Sequence, residues 1–323
     1  MPRKVLIGFG SLLLLAVSIF LFTEIIQPKK SEIIQITYWV APDTATIPDN
    51  RAGDVIRYGR ELIANTSQYL GPKGSVGNIS NGMNCQNCHL EAGTKTFGNN
   101  FSAVASTYPK FRTRSGTLET IEKRINDCLE RSLNGKPLLM ESREMKAMVS
   151  YIKWIGKDVP NGEVPIGAGL LELPYLETAA DPTKGQLVYQ LHCAQCHGKE
   201  GGGIAKTDSI GWVYPSLWGK HSFNDGAGLF RLSKLAGYVK ANMPLGRTFN
   251  NPQLTNEESW HVAAYITAMP RPTFDKANDW PNIATKPFDH PFGPFADGFD
   301  EKQHKFGPFK PILEKRKEQV SVH

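Results

Sequence analysis

The pentapeptide Cys-x-x-Cys-His occurs twice, as CQNCH at 85–89 and CAQCH at 193–197, and takes four of the five cysteines. A Cys-x-x-Cys pair can hold zinc, cycle as a redox disulfide or carry haem. Structural zinc takes four ligands, usually from two such pairs about 15–20 residues apart. Here Cys88 and Cys193 are separated by the length of a small domain. A thioredoxin-like motif sits in a βαβ pattern, and none surrounds either copy. The added histidine selects haem: two thiols form thioethers to the vinyl groups and the next residue ligates the iron. The chain is therefore expected to carry two covalently bound haem c groups, through Cys85, Cys88 and His89 and through Cys193, Cys196 and His197.

The sequence around the two motifs repeats. DVIRYGRELIANT (54–66) and DPTKGQLVYQLHC (181–193) both read as helices leading to a motif, with Gly59 and Gly185 in equivalent places and Pro182 suited to a helix start. SREMKAMVSYIKWIG and TNEESWHVAAYITAMP read as matching last helices that share a Tyr-Ile pair, at Tyr151-Ile152 and Tyr265-Ile266. A small residue on the first helix and an aromatic on the last would let the two cross closely. The repeat predicts a mostly α chain. Residues 51–160 and 182–272 form two haem domains, joined by a linker at 161–181 rich in Pro and Gly. An extended linker at 31–50 precedes them. The tail at 273–323 has too much Pro and Gly for long elements, and its phenylalanines suggest that it packs over the domains.

Residues 1–30 read as a signal peptide or membrane anchor, because MPRK is followed by an 18-residue apolar run at 5–22. The small residues at 16–18 lie inside that run, which favours an uncleaved anchor. Either way the body is expected outside the cytoplasm, in the periplasm, tethered to the inner membrane if 5–22 is retained. Lysine and arginine number 37 against 31 acidic residues. That mild excess, without a long basic block, gives no nucleic-acid footprint.

Each haem iron has a second axial position. In the second domain YVKANMPLG places Met243 before a proline, 46 residues after His197. This resembles the distal methionine loop of small class I cytochromes c, and His/Met ligation raises the iron potential, as suits an electron relay. No Met-Pro occurs in the first domain, although Met140, Met145 and Met148 are candidates by type. The repeat supplies a ruler: Met243 lies 22 residues before Tyr265, and Cys128 lies 23 before Tyr151. Cys128 thus stands where a distal ligand belongs, with a buried free thiol as the plain alternative. A thiolate ligand is anionic, favours ferric iron and is a nucleophile once released.

The segment SGTLETIEKRINDCLERSLNG (115–135) is predicted to be one helix, with Leu118, Ile121, Ile125, Leu129 and Leu133 on its apolar face. Arg124 falls one turn before Cys128 and Ser132 one turn after, with Arg131 beside them and Arg114 just upstream. Three guanidinium groups and a hydroxyl near a thiolate make a plausible oxyanion site. Any one arginine could instead pair with a haem propionate or with Glu122 or Glu130.

Taken together, the two CxxCH motifs, RINDCLERSLNG and KANMPLG resemble the dihaem thiosulfate dehydrogenases, which include tetrathionate reductases, over roughly residues 50–272. The most specific element is the C-x-x-R-S-x-N-G run starting at Cys128. The resemblance implies two tandem class I cytochrome c-like domains that interconvert two thiosulfates and one tetrathionate plus two electrons. It implies a catalytic haem ligated by His89 and Cys128, with Arg114, Arg124, Arg131 and Ser132 lining the anion pocket. It implies a relay haem ligated by His197 and Met243, serving an external donor or acceptor such as a soluble cytochrome c. Some members carry a lysine beside the distal methionine; here that position is Asn242. Two other classes stay open at this stage: a non-enzymatic dihaem electron carrier, and a subunit like the sulfur-oxidising cytochromes that also use cysteine ligation.

Overall fold

Each half is organised by two helices that cross at a glycine. The computed structural model describes residues 36–208 and 210–321. The apolar run at 5–22 lies outside them, and among the described residues no helix is long and apolar enough to cross a membrane. In the first half α1 (Arg51–Ala64) packs on α3 (Arg143–Ile155), with α2 (Ile121–Arg131) between them in sequence. In the second half α4 (Pro182–His192) packs on α6 (Asn256–Ala268), and α5 (Leu232–Asn242) packs beside α6. A Cβ on Gly59 would lie 2.0 Å from the Ala147 carbonyl oxygen and 2.9 Å from the Tyr151 Cβ. On Gly185 it would lie 1.9 Å from the His261 oxygen and 2.9 Å from the Tyr265 Cβ. The close crossing expected from the paired glycines and tyrosines is present in both halves.

The helices start where side chains satisfy their first amides. Asn50, Thr120, Ser142, Asp181 and Thr255 each accept a backbone N–H at an N-cap, and Thr255 and Glu258 form a capping box. One core gathers Leu62, Ile63, Met145, Met148, Tyr151 and Ile155; the other gathers Tyr189, Leu232, Trp260, Val262 and Ile266. Three small antiparallel ladders supplement them: β1 (Gly98–Asn100) with β4 (Gly169–Leu170), β2 (Lys110–Arg112) with β3 (Thr117–Glu119), and β5 (Ile204–Ala205) with β6 (Trp212–Tyr214). The ladder between β1 and β4 ties the linker to the first domain.

Two expectations are corrected. The helix predicted over 115–135 begins only at Ile121, because residues 117–119 pair with 110–112 in a hairpin. Gly116, at φ +66°, makes the turn, and Thr120 caps the shortened helix by accepting the Lys123 N–H at 3.3 Å. Leu118, assigned to the apolar helix face, is therefore 67% exposed on the hairpin, whereas Ile121, Leu129 and Leu133 are buried. The tail does contain a long element, α7 (Lys310–Ser321). Pro311 falls in its first turn, where a missing N–H costs nothing, and no Pro or Gly follows. Phe309 and Ile312 complete the second core, so the tail packs on that domain.

Candidate functional site

The end of α1 builds the first attachment motif. The Cys85 amide donates to Thr66 Oγ1 at 3.0 Å, Gln86 Nε2 donates to the Ala64 oxygen at 2.6 Å, and Asn84 accepts the Ser67 N–H at 2.8 Å. These bonds set Cys85–Asn87 in a helical turn that delivers His89. His89 Nδ1 lies 2.5 Å from the Asn99 carbonyl oxygen. A carbonyl can only accept, so Nδ1 carries the proton and Nε2 keeps its lone pair. Burial pushes the His89 pKa down to about 4, which keeps the imidazole neutral as a ligand must be.

His89 and Cys85 border a cavity of about 340 Å³, closed by Ile63, Phe101, Met148, Ile152 and, from α2, Cys128. The second motif repeats the arrangement. His197 Nδ1 lies 2.9 Å from the Pro215 oxygen, and burial lowers its pKa. A cavity of about 170 Å³ is bordered by Cys193, Cys196, His197, Leu235, Val239 and Met243. The residues fit a covalently held haem at both places. All five cysteines are free of disulfides, so the motif thiols are available for thioethers. Each cavity offers a motif histidine nitrogen and a sulfur outside the motif (Cys128 or Met148 in the first, Met243 in the second), the kind of donor pair taken by an iron held in a macrocycle. Among the described residues no group of three or more His, Cys, Asp or Glu is arranged to hold an ion without one.

Cys128 therefore shares a cavity with His89 as Met243 does with His197. Met140 borders a different surface groove and Met145 is core. Met148 borders the first cavity as part of the α3 wall with Ile152. In the second domain Asn242 is fully buried, its amide donating to the Phe97 and Tyr238 oxygens, each at 3.0 Å.

The arginines divide into two groups. Arg124 borders the cavity with Cys128, and among the described residues its guanidinium has neither hydrogen bond nor ion pair. The Cys128 sulfur, first among its neighbours, raises its pKa. Arg131 is committed elsewhere: it makes a bidentate pair with Asp279, both bonds 2.7 Å, and lies 4.1 Å over the Phe274 ring. Arg114 is half-buried, 5.1 Å over Trp280. Burial and then the charges of Arg131 and Arg124 lower its pKa to about 10. Ser132 ends α2, its N–H donating to the Cys128 carbonyl at 2.8 Å. Neither Arg114, Arg131 nor Ser132 borders the cavity. Residues not foreseen from sequence do border it: Lys110 and Arg112 of β2, and Tyr108 just before them. Their signal was the alternation of basic residues around Phe111, which puts both on one face of a strand.

Comparisons with known proteins agree across both halves. A family model described as SoxA/TsdA, cytochrome c domain, matches residues 77–160, and one described as cytochrome c matches 182–270. The chain is 38% identical over 243 residues to a thiosulfate dehydrogenase of Psychrobacter arcticus, covering 75% of this chain and 71% of that one. It is 37% identical over 239 residues to a thiosulfate dehydrogenase of Allochromatium vinosum, covering 73% and 85%. Among solved structures it resembles the thiosulfate dehydrogenase (TsdBA) of Marichromatium purpuratum, with a TM-score of 0.67 and 32% identity. That match covers 73% of this chain and half of the other.

Proposed function

Because the chain belongs to the thiosulfate dehydrogenase family, we propose that its first cavity is where two thiosulfates are joined, with Cys128 as the reacting sulfur and Arg124 as the main anion-binding group. The protein is a dihaem cytochrome c oxidoreductase that interconverts two thiosulfates and one tetrathionate plus two electrons. Cys85 and Cys88 would attach the first haem and His89 and Cys128 would ligate it; Cys193 and Cys196 would attach the second, with His197 and Met243 as ligands. When bound, the two haems supply two one-electron stores for a two-electron reaction.

The chain's own task is to bring like charges together. Two dianions about 6 Å apart repel by on the order of 10 kcal/mol at an effective dielectric of about 20. Arg124, Arg112 and Lys110 border the cavity, have no ion pairs among the described residues and offset that repulsion. Tyr108, held protonated because burial raises its pKa, can donate a further hydrogen bond. The Cys128 thiolate then bonds to the outer sulfur of one thiosulfate, forming a Cys–S–S–sulfonate with loss of two electrons. The outer sulfur of a second thiosulfate attacks that outer sulfur, releasing tetrathionate and restoring the thiolate. Charge balances in both steps, and each runs in reverse for tetrathionate reduction.

One observation carries this reading: His89 of the first CxxCH motif, Cys128 and Arg124, which has neither hydrogen bond nor ion pair among the described residues, border one cavity. Cys128→Gly, with both haems attached, is expected to lose about 100-fold or more of the rate in either direction. Wild-type interconversion by that variant would sink the proposal that Cys128 is the reacting sulfur. The same proposal gives residues 51–160 the chemistry and 182–272 the relay to an external partner such as a soluble cytochrome c. It places the body in the periplasm, supported by the charged and apolar residues at 1–22 and by haem attachment.

A further inference from the structure

One side chain touches both attachment sites. Tyr238 lies on α5, five residues before Met243, and is buried. Its hydroxyl donates to the Asn87 carbonyl at 2.7 Å, and Asn87 sits between the two cysteines of the first motif. Its ring packs with Cys88 and Leu229, and Leu90, Leu170 and Met243 pack against that cluster. Tyr238 also borders the second cavity, as do Asn87 and Leu90 of the first domain. One turn beyond Tyr238, Asn242 repeats the tether through its bond to the Phe97 oxygen. The helix that carries the distal methionine of one site is thus pinned to the cysteine loop of the other.

We propose that Tyr238 is the positioning residue that couples the two haems, fixing the first attachment motif against the second cavity and filling the gap that electrons cross. The inference rests on the two-haem assignment above. Electron tunnelling weakens steeply with distance and is slower across poorly packed space, so a filled, hydrogen-bonded contact favours it. When bound, the haems held at Cys85, Cys88 and His89 and at Cys193, Cys196 and His197 would supply one-electron transfer from the first site to the second, and the external acceptor would take the electrons from there. No bond is made or broken, and no proton moves, because burial holds the phenol protonated far above neutral pH.

The test uses the full dihaem protein in three forms: wild type, Tyr238→Phe and Tyr238→Leu. Electron equilibration between the haems is followed by rapid photochemical injection of one electron without substrate. Tyr238→Leu is expected to slow it by about tenfold or more, since a misplacement of about 1 Å can cost as much as a hundredfold. Tyr238→Phe keeps the ring and loses only the hydroxyl, and is expected to fall between. Each haem's absorption spectrum, including the Met-ligated one, is expected to stay as in the wild type. Equilibration at the wild-type rate in both variants overturns the proposal. So does a slowing that occurs only together with a changed Met–iron spectrum, because that reports a displaced ligand. Should Tyr238→Leu not load haem, Tyr238→Phe decides alone, and a wild-type rate there overturns it. Cys128→Gly separates the two readings: its turnover tests the reacting sulfur, while its electron equilibration is expected to remain sensitive to Tyr238.

Discussion

Arg124 and Arg131 stand seven residues apart on one helix and sit in opposite surroundings. Asp279 neutralises Arg131 through two 2.7 Å bonds, and the Phe274 ring covers it. Arg124 has no such partner among the described residues and sits within the field of the Cys128 sulfur. A guanidinium at a cavity wall whose N–H groups have no fixed partner can donate them to an incoming anion. A hydrogen bond to a charged group contributes about 1.5–3 kcal/mol, and about 1.4 kcal/mol is a factor of ten in affinity. Arg124→Gln is therefore expected to raise the KM for thiosulfate roughly 10- to 100-fold and to flatten its dependence on ionic strength. Arg131→Gln is expected to act on stability instead, because it strands the buried Asp279 carboxylate, a loss of about 3–5 kcal/mol. Steady-state kinetics at several salt concentrations, with denaturant unfolding of both variants, distinguish the two. Equal KM increases in the two variants would contradict the division of roles.

The helix pairs α1–α3 and α4–α6 depend on contacts too close for any side chain at Gly59 and Gly185. Overpacking of a well-packed contact costs about 1–3 kcal/mol, more where the obstacle is backbone. Gly59→Ala is expected to lower the stability of the first domain by at least about 2 kcal/mol. Thermal unfolding watched in the first haem's absorption would show it, and an unchanged midpoint would mean that the crossing relaxes freely. These helices were legible in the sequence because their signals are local: an apolar repeat, Pro182 at a helix start and a glycine matched with a tyrosine in each copy. The place of Cys128 in one cavity with His89 was legible for a related reason, since Met243 in the second copy marks the position. What was not legible is set by distant partners. Residues 117–119 could be read as helix until their pairing with 110–112 is known. The end of α2 is finished by Asn224 of the second domain, whose amide donates to the Glu130 oxygen at 2.9 Å and to Asn134 Oδ1 at 3.0 Å. Its backbone N–H also donates to the Arg131 oxygen at 3.1 Å. No spacing near Cys128 announces a cap about ninety residues away, nor the aspartate that pairs with Arg131.

Across the whole molecule the C-terminal tail acts as a strap over both domains. Asp279 holds Arg131 of the first domain, while Asp289 holds Arg231 and Ser233 at the start of α5. Further along, Asp297 binds His304 and Arg316 within the tail itself. The Trp280 amide donates to the Arg114 oxygen at 2.6 Å, and the Trp280 ring lies 4.2 Å from the His290 ring. Burial lowers the His290 pKa to about 3, with Lys286, Arg114 and Arg231 adding to the effect against a bond to Phe292. An unfolded histidine titrates near 6.5. Between those values the unfolded chain binds a proton that the folded chain refuses, so stability rises with pH. The contribution is complete above about pH 6.5 and is lost as the pH falls toward 3. By pH 5 the loss amounts to roughly 2 kcal/mol. His290→Gln cannot titrate, so its stability should fall less between pH 7 and pH 5 than that of the wild type, by about that amount. Denaturant unfolding at the two pH values measures the difference, and parallel losses would show that His290 does not carry the acid sensitivity of the strap.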